Sequence, residues 1–303
     1  MPVLTSPGVE QTRIHNLPAA SAILDYSQSH GHNEIDTARV YGGGSSGEQL
    51  GNLDLQKRHL GMGTKSYPHS EESPAKLPLI SAADLRSTPF EETFKATDEI
   101  YRGGLFDRFG ISNYMAWGVA YINEVCIENG SRRPTICQGV YNAIHRTSDT
   151  EQLPALRYFG MAFYVLSALA GGYLTDWYSR VVAKASEGGG KIEEGSRFDG
   201  KTSQDKSYRQ RHWNESMFTA LDLIRSVAGK HNLTEVESAL RWLMYHIRLD
   251  VGSSDKVIIG ASSEKHLDKN LLDFEKGSLP DDVVQALDEV WRMAKGVACS
   301  YYH

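Results

Sequence analysis

The stretch "TICQGVYNAIHRTSDTEQLPALRYFGMAFYVLSALAGG", residues 135–172, holds two short apolar runs, each closing on small or polar residues, with a helical pattern between them. A strand, a helix and a second strand in that order form a parallel unit. The same rhythm recurs along the chain in "NEIDTA", "GMGTKSY", "LPLIS", "RFGISN" and "KVIIGASS". Seven such strands alternating with helices predict an α/β fold on a parallel sheet, and a TIM (β/α)8 barrel suits 303 residues better than an open sheet. An eighth strand, weakly signalled at "PVLTS", residues 2–6, would complete the closure. No repeat or composition shift divides the chain, so residues 1–303 are expected to form one barrel domain.

Helix boundaries carry their own signals. "TPFEETFKATDEIYRGG" opens on Thr88 and Pro89 and closes on Gly103 and Gly104. Thr234 followed by Glu237 predicts a capping box, with Ala239, Leu240, Leu243, Met244 and Ile247 on one buried face. Residues 179–212 break the rhythm: they are polar, glycine-rich and too long for an ordinary connection, so they read as a lid or binding loop or else as a flexible insert.

The net charge of −6 excludes general attraction to nucleic acid or an anionic membrane surface, and leaves small-molecule chemistry. Three dispersed cysteines form no CxxC pair, which predicts a reducing, cytoplasmic setting without a disulfide framework. No metal-binding spacing such as HExxH occurs, and no export signal or run of 18 apolar residues points to a membrane.

In a parallel barrel the reactive groups sit where strands end. Those positions hold Asp36 with Tyr41, Lys65, Ser81, Ser112 with Asn113, Gln138, Ser167, and Ser262 with Ser263. A lysine near a phenol lowers its pKa, an aspartate steadies the lysine, and such a phenol can protonate a carbonyl oxygen. The alternative is that Asp36 caps a turn, Tyr41 covers the core edge and Lys65 is solvated. "GASSEKHLDKN" ends a strand and starts a helix, a ready anion site or merely an N-cap.

Ten blocks together resemble the aldo-keto reductases, and within them the aflatoxin-aldehyde-reductase-like branch: "DTARVYGGGSSGEQLG", "GTK", "TPFEETF", "FGISNYMAW", "QGVYNAIHR", "LAGGYLT", "GSRFD", "YRQRHW", "ALRW" and "IIGASSEKHLDKNL". The resemblance implies a barrel that binds NADPH without a Rossmann domain and reduces an aldehyde or ketone. It implies Tyr41 as general acid with Asp36 and Lys65 beside it. Ser112, Asn113 and Gln138 would hold the nicotinamide carboxamide, Ser262, Ser263 and Asn270 would meet the adenosine 2'-phosphate and adenine, and Ser167, Leu169 and His266 would also bind the cofactor. Arg209, Arg211, Trp213 and Tyr302, with Ser81, would line the substrate pocket.

Several positions depart from that pattern. Ser81 stands where the family's catalytic histidine belongs, Leu166 replaces the aromatic that stacks on the nicotinamide, and Asp176–Trp177 replaces a Gly-Lys pair. The stretch between Lys65 and Thr88 is short by about one helix and its loop, which leaves an outer face for a partner chain and makes a homodimer an expectation. The first strand lacks its Gly-Thr-Met segment. These departures leave open two other functions, a non-redox biosynthetic step such as dehydration, isomerisation or cyclisation, and a cofactor-binding protein without turnover. The tail "VACSYYH" would either line the pocket or fray.

Overall fold

The structure, a computed structural model, describes residues 13–14, 16–38, 41–66, 79–81, 89–187, 190 and 192–302. The expected strand at 2–6, the crossover segment 67–78, Thr88 and His303 lie outside the described residues.

Among the described residues eight strand segments are present, of which β2 and β3 are the two halves of one run: β1 (Glu34–Asp36), β2 (Gly61–Gly63), β3 (Lys65–Ser66), β4 (Leu79–Ser81), β5 (Gly110–Ser112), β6 (Ile136–Val140), β7 (Ala162–Leu166) and β8 (Lys256–Val257). All pairings are parallel, β1 with β2 and then β3 through β8 in chain order. Strictly sequential parallel pairing is the wall of a (β/α)8 barrel. "GMGTKSY" supplies β2 and β3, interrupted at Thr64. Register fixes one layer: Ser81 pairs with Ser112, Ser112 with Gln138, and Gln138 with Tyr164. The backbone of Ser81 therefore stands level with the expected site residues.

Among the described residues no backbone ladder joins β8 to β1. Side chains bridge that seam instead: Lys256 Nζ donates to Glu34 at 2.6 Å and the Tyr164 hydroxyl to the same carboxylate at 3.3 Å.

Eleven helices cover the described wall: α1 (Leu17–Ser29), α2 (Ser45–Gly51), α3 (Phe90–Arg102), α4 (Ala116–Glu128), α5 (Gln152–Phe159), α6 (Arg180–Glu187), α7 (Ser203–His212), α8 (Glu215–Lys230), α9 (Glu235–Tyr245), α10 (Glu264–Glu275) and α11 (Asp281–Ala294). Pro89 precedes α3, and Glu91 and Glu92 place negative charge on its first turn, where the helix dipole favours it. Thr234 caps α9 by accepting from the Glu237 N–H at 3.1 Å. The reciprocal half of the expected capping box is replaced, because the Glu237 carboxylate pairs with Arg241 and Lys276. The buried face of α9 also differs: Ala239, Leu240 and Leu243 are core, but Met244 is 48% exposed and Trp242 takes the inner position.

The main core runs from Phe94 and Ile111 through Cys137, Phe163 and Val165 to Leu240 and Trp242. A second cluster joins Ile23 and Leu24 of α1 to Ile35, Leu50, Leu267 and Leu271.

Candidate active site

β1 delivers Asp36 and β3 delivers Lys65, whose side chain is 7% exposed. Lys65 Nζ donates to both Asp36 oxygens at 2.7 Å and to the Thr37 carbonyl at 2.9 Å. An ammonium has three hydrogens, so all are committed. Gln138, from β6, donates Nε2 to Asp36 Oδ1 at 2.8 Å, and its buried Oε1 has no partner among the described residues. Asp36, Lys65 and Gln138 are thus one hydrogen-bonded unit, which excludes the solvated reading of Lys65.

Tyr41 begins the turn Tyr41–Gly44, where Gly42, Gly43 and Gly44 all adopt positive φ. Its ring centroid lies 5.2 Å from Lys65 Nζ. The expected direction of tuning is corrected here: burial, reinforced by the Asp36 charge, raises the phenol above its usual range, while Arg197 pulls the other way. Burial and the Asp36 carboxylate both disfavour the phenolate, so the phenol keeps its proton at neutral pH.

The remaining expected residues divide. Ser112 is buried at the end of β5, and Asn113 follows with φ 67°. Ser167 (φ 64°) and Ala170 (φ 51°) turn the chain after β7 in the same left-handed region, a costly conformation for non-glycine residues that clusters at functional sites. Leu169 lies in that turn, half-buried against the main core. Ser263 caps α10, while the Ser262 hydroxyl sits 2.7 Å from His266 Nδ1 and Asn270 is buried one turn on.

The described part of residues 179–212 is not a shapeless insert. α7 opens on a full capping box, Thr202 with Asp205, and its aromatic face packs over the β7 turn. Tyr208 lies so close to Gly171 that a β-carbon there would stand 2.2 Å from its ring. Arg209 is corrected from a pocket residue to a fastener: it donates to the carbonyls of Phe198 and Asp199 at 2.8 and 2.9 Å and covers the Trp213 ring. Trp213 stacks on Phe198.

Arg211 does reach a cavity of about 30 Å3, where it meets His145, His212, Asn142, Ser167, Tyr208 and Cys299. Ala298 and Cys299 of the tail line that cavity, and the described tail as far as Tyr302 is held in place and not frayed. The Cys299 carbonyl lies 2.8 Å from His145 Nε2, and the Tyr301 hydroxyl accepts from the Ala116 N–H at 3.1 Å. Tyr302 packs edge-on against Tyr301. His145, His212 and Cys299 had escaped sequence reasoning; the only signal was their place inside the "QGVYNAIHR", "YRQRHW" and "VACSYYH" blocks. Among the described residues no group of three or more His, Cys, Asp or Glu could hold a metal, and no helix is long and apolar enough to cross a membrane.

A parallel barrel with a phenol, a buried lysine–carboxylate pair and a glutamine at its strand ends defines a class of barrel enzyme. The aldo/keto reductase family profile matches residues 79–292, and the chain belongs to that family. An aldo-keto reductase of Pseudocercospora fijiensis (strain CIRAD86) is 41% identical, covering 92% of this chain and 100% of that protein. The aldo-keto reductase pigE of Monascus ruber is 36% identical over 99% and 95% of the two chains. Aflatoxin B1 aldehyde reductase member 2 of Mus musculus, 34% identical over 97% and 86%, marks the branch. A glycerol dehydrogenase of Gluconobacter oxydans shares the fold at TM-score 0.65 and 17% identity, covering 95% of this chain and 90% of that one.

Proposed function

We propose that the protein reduces a small aldehyde or ketone to its alcohol with NADPH, and that Tyr41 supplies the proton. The observation that carries this reading is the closed set of bonds around Asp36, which spends every Lys65 hydrogen and leaves the Tyr41 phenol as the proton-bearing acid at the mouth. Its raised pKa suits an acid that acts only when the carbonyl oxygen gains negative charge, because an alkoxide is more basic than a phenolate. The ammonium beside the ring then steadies the phenolate that remains.

NADPH, when bound, supplies the hydride. Gln138 fits a carboxamide, since its buried Oε1 is an acceptor with no donor among the described residues. Ser112 and Asn113 flank the same position. Ser167 and Leu169 shape the turn along which the cofactor would run, and Ser262, Ser263, His266 and Asn270 would receive its adenosine end. The segment 179–212 serves as the lid. With Ser81 in place of a histidine, one donor to the developing oxyanion is lost, which costs about 3 to 4 kcal/mol and slows turnover a hundred- to thousand-fold without abolishing it.

The test is a fluorescence titration of NADPH followed by Tyr41→Phe. The variant is expected to keep cofactor binding and lose turnover of 2-carboxybenzaldehyde. Full turnover in the variant refutes the acid role, and no binding at high micromolar NADPH transfers the argument to a non-redox reaction.

A further inference from the structure

We propose that Ser46 is a positioning residue: its hydroxyl bond to Thr37 clasps the start of α2 to the end of β1 and so fixes the Tyr41 phenol relative to Lys65. The proposal rests on the reading of Tyr41 as the proton donor.

The turn that carries Tyr41 has little stiffness of its own. Gly42, Gly43 and Gly44 follow in succession at φ 62°, 63° and 98°, a stretch without side chains to lock the backbone by packing. Gly44 is also the residue before α2 and has no side chain with which to cap it. Two short-range bonds shape the turn. The Tyr41 N–H donates to the Ala38 carbonyl at 3.0 Å, and the Ser45 hydroxyl donates to the Gly42 carbonyl at 2.8 Å. Both join near neighbours in the chain, so they fix the form of the turn and not its angle to the barrel.

The bond between Thr37 and Ser46 supplies that angle. The two hydroxyls lie 3.2 Å apart, on residues that are each 4% exposed, so water does not compete for either. Thr37 is at the same time the fixed point of the ammonium. Its N–H donates to the Gly63 carbonyl at 2.8 Å, which anchors it to β2, and its own carbonyl accepts the third Lys65 hydrogen at 2.9 Å. One residue thereby references the phenol to the ammonium, whose Nζ lies 5.2 Å from the ring centroid. A displacement of about 1 Å can slow a reaction about a hundredfold. Ser46 therefore acts on rate, through Tyr41, and not on affinity.

The experiment measures kcat and KM for 2-carboxybenzaldehyde with NADPH in Ser46→Ala, in Thr37→Ser, and in Ser46→Ala combined with Thr37→Val. Ser46→Ala is expected to lower kcat at least about tenfold, with both KM values within about twofold of wild type. Thr37→Ser keeps both hydroxyls and should keep kcat. Ser46→Ala alone strands the buried Thr37 hydroxyl, whereas the double variant strands nothing and retains the Thr37 carbonyl for Lys65. Its melting temperature should return toward wild type while kcat stays low, and it carries the comparison if the single variant does not fold. Unchanged kcat in Ser46→Ala, or kcat that recovers with stability in the double variant, would overturn the proposal and leave the hydroxyl pair a purely stabilising contact. If the wild-type protein reduces no aldehyde, the parent reading fails, and nitration of Tyr41 by tetranitromethane, located by peptide mass spectrometry, still decides the clasp. Faster nitration in Ser46→Ala and in the double variant than in wild type supports it, and equal rates overturn it.

Discussion

Removing one end of the Lys65–Asp36 pair strands the other charge in a buried place, which costs about 3 to 5 kcal/mol. Lys65→Met is therefore expected to lower the denaturant midpoint as well as activity, whereas Tyr41→Phe should lower activity alone. Chemical unfolding of the two variants side by side checks this. His212 sets a pH limit by the same physics. Burial among Tyr173, Phe198 and Tyr208 lowers its pKa to about 4 from an ordinary 6.5. The unfolded chain binds a proton first, so the stability this residue contributes is complete above pH 6.5 and is lost as pH falls toward 4. The loss amounts to about 3 kcal/mol. His212→Phe should flatten the acid side of the stability curve; an unchanged slope between pH 6.5 and 4 would contradict the assignment.

At the scale of elements, α7 is held against the β7 turn because its first turn is well capped and Tyr208 packs on Gly171. Thr202→Ala removes the acceptor for the Asp205 N–H and is expected to cost about 1 kcal/mol, concentrated in this segment. Faster amide exchange over 203–212, with the barrel strands unaffected, is the signature. Much at this scale was legible beforehand. Strand ends, the Pro89 and Thr234 helix starts and the Ser263 cap follow from local chemistry, and local chemistry is what a sequence displays. What stayed hidden depends on residues far apart in the chain. Burial of the ring and the nearby Asp36 carboxylate raise the Tyr41 phenol instead of lowering it, and Gly171 leaves room for a ring 37 positions later. Arg209 and Arg211, two residues apart, look alike on paper; helical geometry sends one to loop carbonyls and the other to the cavity.

For the whole molecule, the seam between β8 and β1 rests on partly exposed side chains, so Lys256→Ala should change stability by less than about 1 kcal/mol. A bound cofactor should matter far more. At a hundred times its dissociation constant, NADPH is expected to add about 2.7 kcal/mol through mass action, read as a rise in melting temperature that NADPH-free controls lack.

The docked tail also has a bearing on synthesis. His145 lies in the middle of the sequence, yet the carbonyl that orients its imidazole belongs to Cys299. A nascent chain that has left the ribosome through residue 250 can already pair β3 to β7 and bury much of its core, but it cannot yet set the imidazole. The orientation of that ring is thus among the last features the protein acquires, and premature termination would yield a chain with barrel strands and an imidazole not yet held in place.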